Sequence, residues 1–258
     1  MFPSLFQLNG RVALITGGSK GIGKAVARGL AEAGADIAIS SRHEDELKSA
    51  AAEIGKDLKV KVAYRVCDMT DRQASDELAQ WATATLGKVD ILFNNAGSNE
   101  PQNLVDVTDA SWDRIIELNL TSCMRLSKAV APGMIQRKWG RIIYTSSIMA
   151  LASFHGRGAY SATKAALIGM ARAHALELGP HGITVNCLAP GPVMTDLPMS
   201  LLSDAKKKEF SDRTAVKRWG QTIDMVGPVL MMASDAGAFV SGEVLVADGG
   251  LLCRTFSD

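Results

Sequence analysis

Val12-Ala13-Leu14-Ile15-Thr16-Gly17-Gly18-Ser19-Lys20-Gly21-Ile22-Gly23 is the stretch on which the reading of this chain turns. Val12–Thr16 is a short apolar run without polar alternation, as in a strand buried on both faces. The residues from Ile22 to Ala33 continue with helical patterning. Between them lies a turn spaced G-x-x-x-G-x-G, built on Gly17, Gly21 and Gly23 with Ser19, Lys20 and Ile22 among them. Glycine permits positive φ and close approach of backbone to a ligand. A helix N-terminus adds free N–H groups and partial positive charge. A glycine turn between a strand and a helix is the context expected for binding a dinucleotide pyrophosphate.

The same alternation runs outward from this turn. Further apolar runs occur at Asp36–Ser40, Lys61–Val66, Ile91–Asn94, Arg141–Thr145, Thr184–Leu188 and Val244–Val246, and each reads as a strand buried on both faces. The intervening segments read as helices: Glu44–Ile54, Arg72–Leu86, Ser111–Gln136, Ala159–Leu178, Asp204–Phe210 and Met225–Ser234. Strand–helix alternation of this kind builds βαβ units. Right-handed crossovers then put helices on both faces. The expected fold is α/β, a Rossmann-like doubly wound parallel sheet of seven strands. No linker or composition shift divides residues 1–258, so one domain is expected.

Composition narrows the function. With 28 Lys plus Arg against 27 Asp plus Glu, the net charge of +1 supplies no electrostatic reason for a nucleic-acid or anionic-membrane partner. Cys67, Cys123, Cys187 and Cys253 are isolated, which argues against a zinc site or a disulfide scaffold and suits a reducing compartment. Met1–Gly10 has no basic segment followed by an apolar one, and no apolar run approaches membrane length. A cytoplasmic location is expected.

The end of the second strand bears on the nucleotide. A carboxylate there would accept from a free ribose 2′-OH, but the chain has Ser40-Ser41-Arg42, with no acid before Glu44. Arg42 and Ser41 suit a 2′-phosphate, and Lys20 offers a second cation. The expectation is NADP(H) over NAD(H); the alternative is that both cations are solvated surface charges.

Tyr160 and Lys164 are four residues apart and share a helix face. An ammonium beside a phenol favours the phenolate, which makes such a tyrosine able to exchange a proton with a substrate oxygen. Ser146 and Ser147, like Asn94-Asn95-Ala96-Gly97, end buried strands, where ligands gather in open sheets. Asn119 interrupts an apolar stretch, as a site residue or as a buried amide satisfying backbone. Pro190-Gly191 closes the sixth strand.

Taken in order, Thr16–Gly23, Asp68, Asn94–Gly97, Asn119, Ser147, Tyr160 with Lys164, Pro190–Thr195 and the ending Asp248-Gly249-Gly250 resemble the short-chain dehydrogenase/reductase family over nearly the whole chain. The resemblance implies a catalytic tetrad of Asn119, Ser147, Tyr160 and Lys164, with Ser147 preferred to Ser146 on family spacing to Tyr160. Tyr160 would be the general acid or base, and Ser147 would hold the carbonyl oxygen. Lys164 would hold the nicotinamide ribose, and Asn119 would position a water for proton relay. Asp68 and Met69 would meet the adenine, Asn95, Ala96 and Gly97 the adenosine side, and Pro190, Gly191, Val193 and Thr195 the carboxamide. No metal is implied. A homotetramer is implied, packed through the helices Ser111–Gln136 and Ala159–Leu178; Leu167, Met170 and Ala171 suit such an interface or the core of a monomer.

The substrate is left between two classes, a 3-oxoacyl thioester and a sugar acid or polyol. The segment 194–219 would form a substrate lid. Its Met194, Leu197, Met199, Leu201 and Leu202 suit either an apolar pocket or lid packing, and Lys206–Glu209 reads as a solvated helix face. Arg157 suits a substrate carboxylate or phosphate as well as a solvated loop, and His155 reads as a loop residue. A non-catalytic NADP(H)-binding sensor or scaffold is the alternative to an enzyme.

Overall fold

The strands are β1 Val12–Thr16, β2 Asp36–Ser41, β3 Val62–Val66, β4 Ile91–Asn94, β5 Gly140–Thr145, β6 Ile183–Pro190 and β7 Val244–Ala247. In the computed structural model, which describes residues 3–195 and 203–253, they form one parallel sheet in the order β3-β2-β1-β4-β5-β6-β7. The chain winds outward from β1 to β3, returns to the centre at β4, and winds the other way. The connections therefore diverge at the carboxyl ends of β1 and β4, and a crevice opens there.

Helices α1 Gly21–Glu32, α2 Glu44–Gly55 and α8 Val226–Ala233 cover one face. Leu30, Ile54 and Val229 from these helices pack with Ile15, Ile37 and Phe93 of the sheet. Helices α3 Arg72–Leu86, α5 Ser122–Arg137 and α6 Gly158–Leu178 cover the other. There Leu78, Leu126 and Leu167 pack with Leu14, Leu92 and Ile142. Successive residues such as Leu14 and Ile15 serve opposite layers because side chains alternate along a strand. Of two further helices, α4 Asp109–Ile116 packs against α6, and α7 Asp204–Arg213 flanks the crevice.

The expectation of burial on both faces holds along the whole of β1, β4, β5 and β6 but fails at the sheet edges. Residues of β3 and β7 are only partly buried, because an edge strand has a single neighbour. The stretch Ser111–Gln136 is not one helix. It runs as α4, a π-helical turn Glu117–Thr121, and α5. The wider turn places Asn119 inward with no solvent exposure, and π turns of this kind recur at functional sites. Leu167 and Ala171 belong to this chain's own core, so they are not free for an interface; Met124 and Leu176 are the exposed large apolar residues on α5 and α6. Leu197, Met199, Leu201 and Leu202 lie outside the described residues. Among the described residues, no helix is long and apolar enough to cross a membrane.

Cys67, Cys123 and Cys187 are buried free thiols, while Cys253 is exposed. Burial pushes Cys67 and Cys123 up to about 11 and Cys187 up to about 12. A chromogenic disulfide reagent at pH 8 should therefore titrate one thiol quickly in the native protein and all four in denaturant. Rapid reaction of three or more in the native state would contradict this packing.

Candidate active site

The glycine turn is fixed by the backbone it must pass. Gly17 and Gly21 hold φ of +64° and +58°. A Cβ on Gly23 would lie 2.2 Å from the Gly17 carbonyl oxygen, so the first turn of α1 can sit against the loop only without a side chain. The end of β4 braces this turn. Thr16 Oγ1 accepts from the amides of Asn95 and Ala96, both at 3.0 Å. Asn95 Nδ2 donates to the carbonyls of Thr16 and Gly17 at 3.1 and 3.2 Å. Asn95, expected to meet the adenosine, thus has its side-chain amide committed to the turn.

The start of α1 has no side-chain cap and no acidic residue in its first turn. Its free N–H groups suit an anion such as a pyrophosphate. At the end of β2, Ser41 Oγ is buried without a partner, and Arg42 is exposed and makes no ion pair among the described residues. These groups fit a phosphorylated ribose. Lys20 is not free, however. It pairs with Glu46 at 3.3 Å, and Ser19 Oγ donates to the same carboxylate at 3.1 Å. Slight burial raises the Glu46 carboxyl, but the hydrogen bonds from Lys20 and Ser19 and the charges of Lys20 and His43 outweigh it and hold the carboxyl below its ordinary range. Glu46, in the first turn of α2, was missed by reading only the strand end for an acid.

Asp68 is exposed and its Oδ1 accepts from the Thr70 amide and hydroxyl at 2.9 and 2.8 Å. The Met69 side chain is buried against Cys67, with sulfurs 3.7 Å apart.

A cavity of about 510 Å³ opens at the crevice, and Ser147, Tyr160 and Lys164 share its wall with Ile22, Asn95 and Gly97. Pro190, Gly191, Val193 and Thr195 line it too. A Cβ on Gly21 would come within 3.3 Å of Thr195 Cγ2, so the end of this segment lies against the glycine turn. Lys164 is 3% exposed; its Nζ donates to the Thr145 carbonyl at 2.7 Å and stands 5.5 Å from the Tyr160 ring centroid. Burying an ammonium is costly without partners, and the strand-end carbonyl is one.

The two serines separate by partner. Ser146 Oγ donates to the Lys164 carbonyl at 2.8 Å. Ser147 Oγ accepts from the Met149 amide at 3.1 Å, which leaves its proton available to the cavity. Asn119 does not line the cavity. Its Oδ1 accepts from the Ser98 amide and its Nδ2 donates to the Ser98 carbonyl, both at 2.9 Å, with a further bond to Thr163 Oγ1 at 3.3 Å. It holds the Ser98 loop against α6.

The outer wall includes Pro101, Met149 and Phe154, and also Phe210, Arg213 and Trp219, which fall within the segment 194–219 expected as a substrate lid. Trp219 is 4% exposed, packs edge-on against Phe210 at 5.4 Å, and donates to the Lys207 carbonyl at 2.8 Å. The base of this wall is latched to the C-terminal turn. The amides of Ala215 and Val216 donate to the Gly249 carbonyl at 2.8 and 3.2 Å. Asp248 accepts from Gly250 and Leu252, each at 2.8 Å. The charge run Lys206–Glu209 is ion-paired on the surface as expected, yet Lys206 and Glu209 also reach the cavity rim.

Comparison with known proteins agrees with this geometry. A family model described as short chain dehydrogenase matches residues 11–206. The gluconate 5-dehydrogenase of Gluconobacter oxydans (strain 621H) is 35% identical over 253 residues, covering 96% of this chain and 97% of the relative. The 3-oxoacyl-(acyl-carrier-protein) reductase FabG of Escherichia coli (strain K12) is 36% identical over 245 residues, covering 95% and 98%. A solved putative NAD(P) dependent gluconate 5-dehydrogenase from Beutenbergia cavernae, with bound NADP at low occupancy, superposes with a TM-score of 0.92 at 35% identity, covering 97% and 100%.

The glycine turn yields a direct test. Gly23→Ala should lose about 1–3 kcal/mol through overpacking, read as a lower Tm, and should weaken NADPH binding in a fluorescence titration. Gly169→Ala, where a Cβ meets nothing within 4 Å, should do neither.

Proposed function

This chain belongs to the short-chain dehydrogenase family, and from that premise we propose that it interconverts a ketone and a secondary alcohol using NADP(H). The observation that carries the reading is that Tyr160, Ser147 and Lys164 face one cavity beside the segment from Pro190 to Thr195.

When bound, NADP(H) would supply or accept the hydride at the reacting carbon. In reduction, the Tyr160 hydroxyl gives its proton to the carbonyl oxygen as that carbon gains the hydride, and in oxidation it takes the proton back. Ser147 Oγ donates a hydrogen bond to the same oxygen and holds it in line. The Lys164 ammonium, fixed by the Thr145 carbonyl, stabilises the phenolate and reaches toward the ribose. Asn119 acts at one remove, as a positioning residue that sets the Ser98 loop and α6. Residues 194–219 act as the substrate lid. The substrate is a 3-oxoacyl thioester or a sugar acid or polyol, the two classes named among the relatives. The active form is a homotetramer of a cytoplasmic enzyme.

For the nucleotide, Arg42 and Ser41 support NADP(H), with Lys20 shared between Glu46 and the 2′-phosphate. A purely NADP(H)-binding sensor would have no use for a free serine proton and a buried ammonium facing the same space.

NADPH oxidation at 340 nm over a panel of keto acids, sugars and acetoacetyl thioesters tests the reading. Tyr160→Phe should lower kcat by about 10²- to 10⁴-fold while still binding NADPH; equal turnover by both proteins would remove the tyrosine from the chemistry. Glu46→Gln should free Lys20 and tighten 2′,5′-ADP by about two- to five-fold, with 5′-AMP unaffected, measured by calorimetry.

A further inference from the structure

Arg157 is the N-cap residue of α6, one turn before Tyr160, and lines the same cavity. It is partly buried, and among the described residues its guanidinium has no hydrogen-bond or ion-pair partner. The other partly buried arginines and the buried Arg141 are all engaged. Arg11 stacks on Trp139 at 3.6 Å, and Arg28 donates to the Lys56 carbonyl at 2.7 Å. Arg65, Arg125 and Arg141 pair with Glu77, Asp76 and Asp235. Burial lowers the Arg157 pKa and the nearby Tyr160 raises it, the balance falling below the ordinary value. A guanidinium held partly out of water without an acceptor is unfavourable unless a ligand completes it.

The surrounding charge points the same way. The described cavity wall carries Arg157, Lys164, Lys206 and Arg213 against one carboxylate, Glu209, which is already bonded to Lys206 at 2.7 Å. The excess is positive. The backbone of Arg157 is set rather than loose. Its amide donates to the Phe154 carbonyl at 3.2 Å, its carbonyl accepts from Ser161 at 2.7 Å, and it bridges to Gln102. Met149, Phe154 and Pro101 supply apolar wall beside it.

We propose that Arg157 is the anchor for a carboxylate on the substrate, so that the enzyme acts on short keto acids and the corresponding hydroxy acids. This rests on the reaction class proposed above and narrows its substrate. A planar guanidinium matches a carboxylate through two parallel hydrogen bonds. Side chains one helical turn apart are rooted about 5–6 Å from each other. The carboxylate must therefore lie within a few carbons of the carbonyl that meets Tyr160. A 3-oxoacyl thioester carries no anion at that reach, whereas a sugar acid does.

The test compares 4-oxopentanoate and 5-oxohexanoate with their primary amides, D-gluconate with D-glucitol in the oxidative direction, and dihydroxyacetone phosphate as a phosphate-bearing ketone. In wild type, kcat/KM should favour the acid over its neutral partner by about 30-fold or more. In Arg157→Gln that ratio should fall to within about threefold of unity, with Arg157→Lys between the two. A wild-type ratio near one, an unchanged ratio in Arg157→Gln, or preference for the phosphate ester would overturn the assignment. A second readout does not need turnover: calorimetric titration of the same acids into the NADPH complex. Acid binding that is lost in Arg157→Gln supports the anchor even if no ketone is reduced, a result that would count only against the proposed reaction. Equal binding by both proteins, or none by wild type at millimolar acid, rejects the anchor. Thermal unfolding of each variant separates a folding defect from lost recognition.

Discussion

One hydroxyl joins the two halves of this molecule where they separate. Thr16 Oγ1, at the end of β1, accepts from two consecutive amides that follow β4. At this point the sheet reverses its winding direction and the connecting chains part. A crevice between diverging segments is useful only if its floor is rigid. Asn95 doubles the tie by donating to the Thr16 and Gly17 carbonyls. The glycine turn is therefore held at its entrance by another strand, and the free N–H groups of α1 are aimed before any ligand arrives. Preorganisation of this kind removes the ordering cost from binding.

The second requirement is a cation inside the protein without a carboxylate beside it. Lys164 is almost wholly enclosed, and its recorded partner is a backbone carbonyl at the end of β5. A carboxylate there would neutralise the field that a phenolate needs. A carbonyl dipole steadies the ammonium without cancelling its charge. Ser146, next along the same strand end, adds to this by donating to the Lys164 carbonyl, and so helps set the height of α6 against the sheet.

The fold was legible because its signals are local and repeated: each buried run is followed by a helix, and the first turn carries its glycines in sequence. What escaped the sequence required knowledge of partners across the fold. Lys20 looked like a free cation because Glu46 is distant in sequence, yet both lie at the rim of one turn. A helical period from Ser111 to Gln136 cannot reveal that one wide turn at Asn119 swings the amide inward. Leu167 and Ala171 have the pattern of an interface or a core, and only the position of β5 and β6 beneath α6 decides for the core. Ser146 and Ser147 were separable by resemblance but not by residue type; their hydrogen bonds give the physical reason. The individual side chains of the cavity's outer wall were least legible: a lid at 194–219 was expected, but that Phe210 and Trp219 pack together beside Phe154 depends on contacts across the fold.

The latch between Gly249 and Ala215–Val216 has a consequence for how the chain acquires its competence during synthesis. Gly191, in the cavity wall, also lies so close to Asp248 that a Cβ there would be 2.6 Å from the Asp248 Cα. A nascent chain that has extruded the first six strands can already assemble the central sheet. It still lacks the buttress under one bank of the cleft, which arrives only with the last strand and the turn after it. The cleft is complete only once β7 and the turn after it have docked against it.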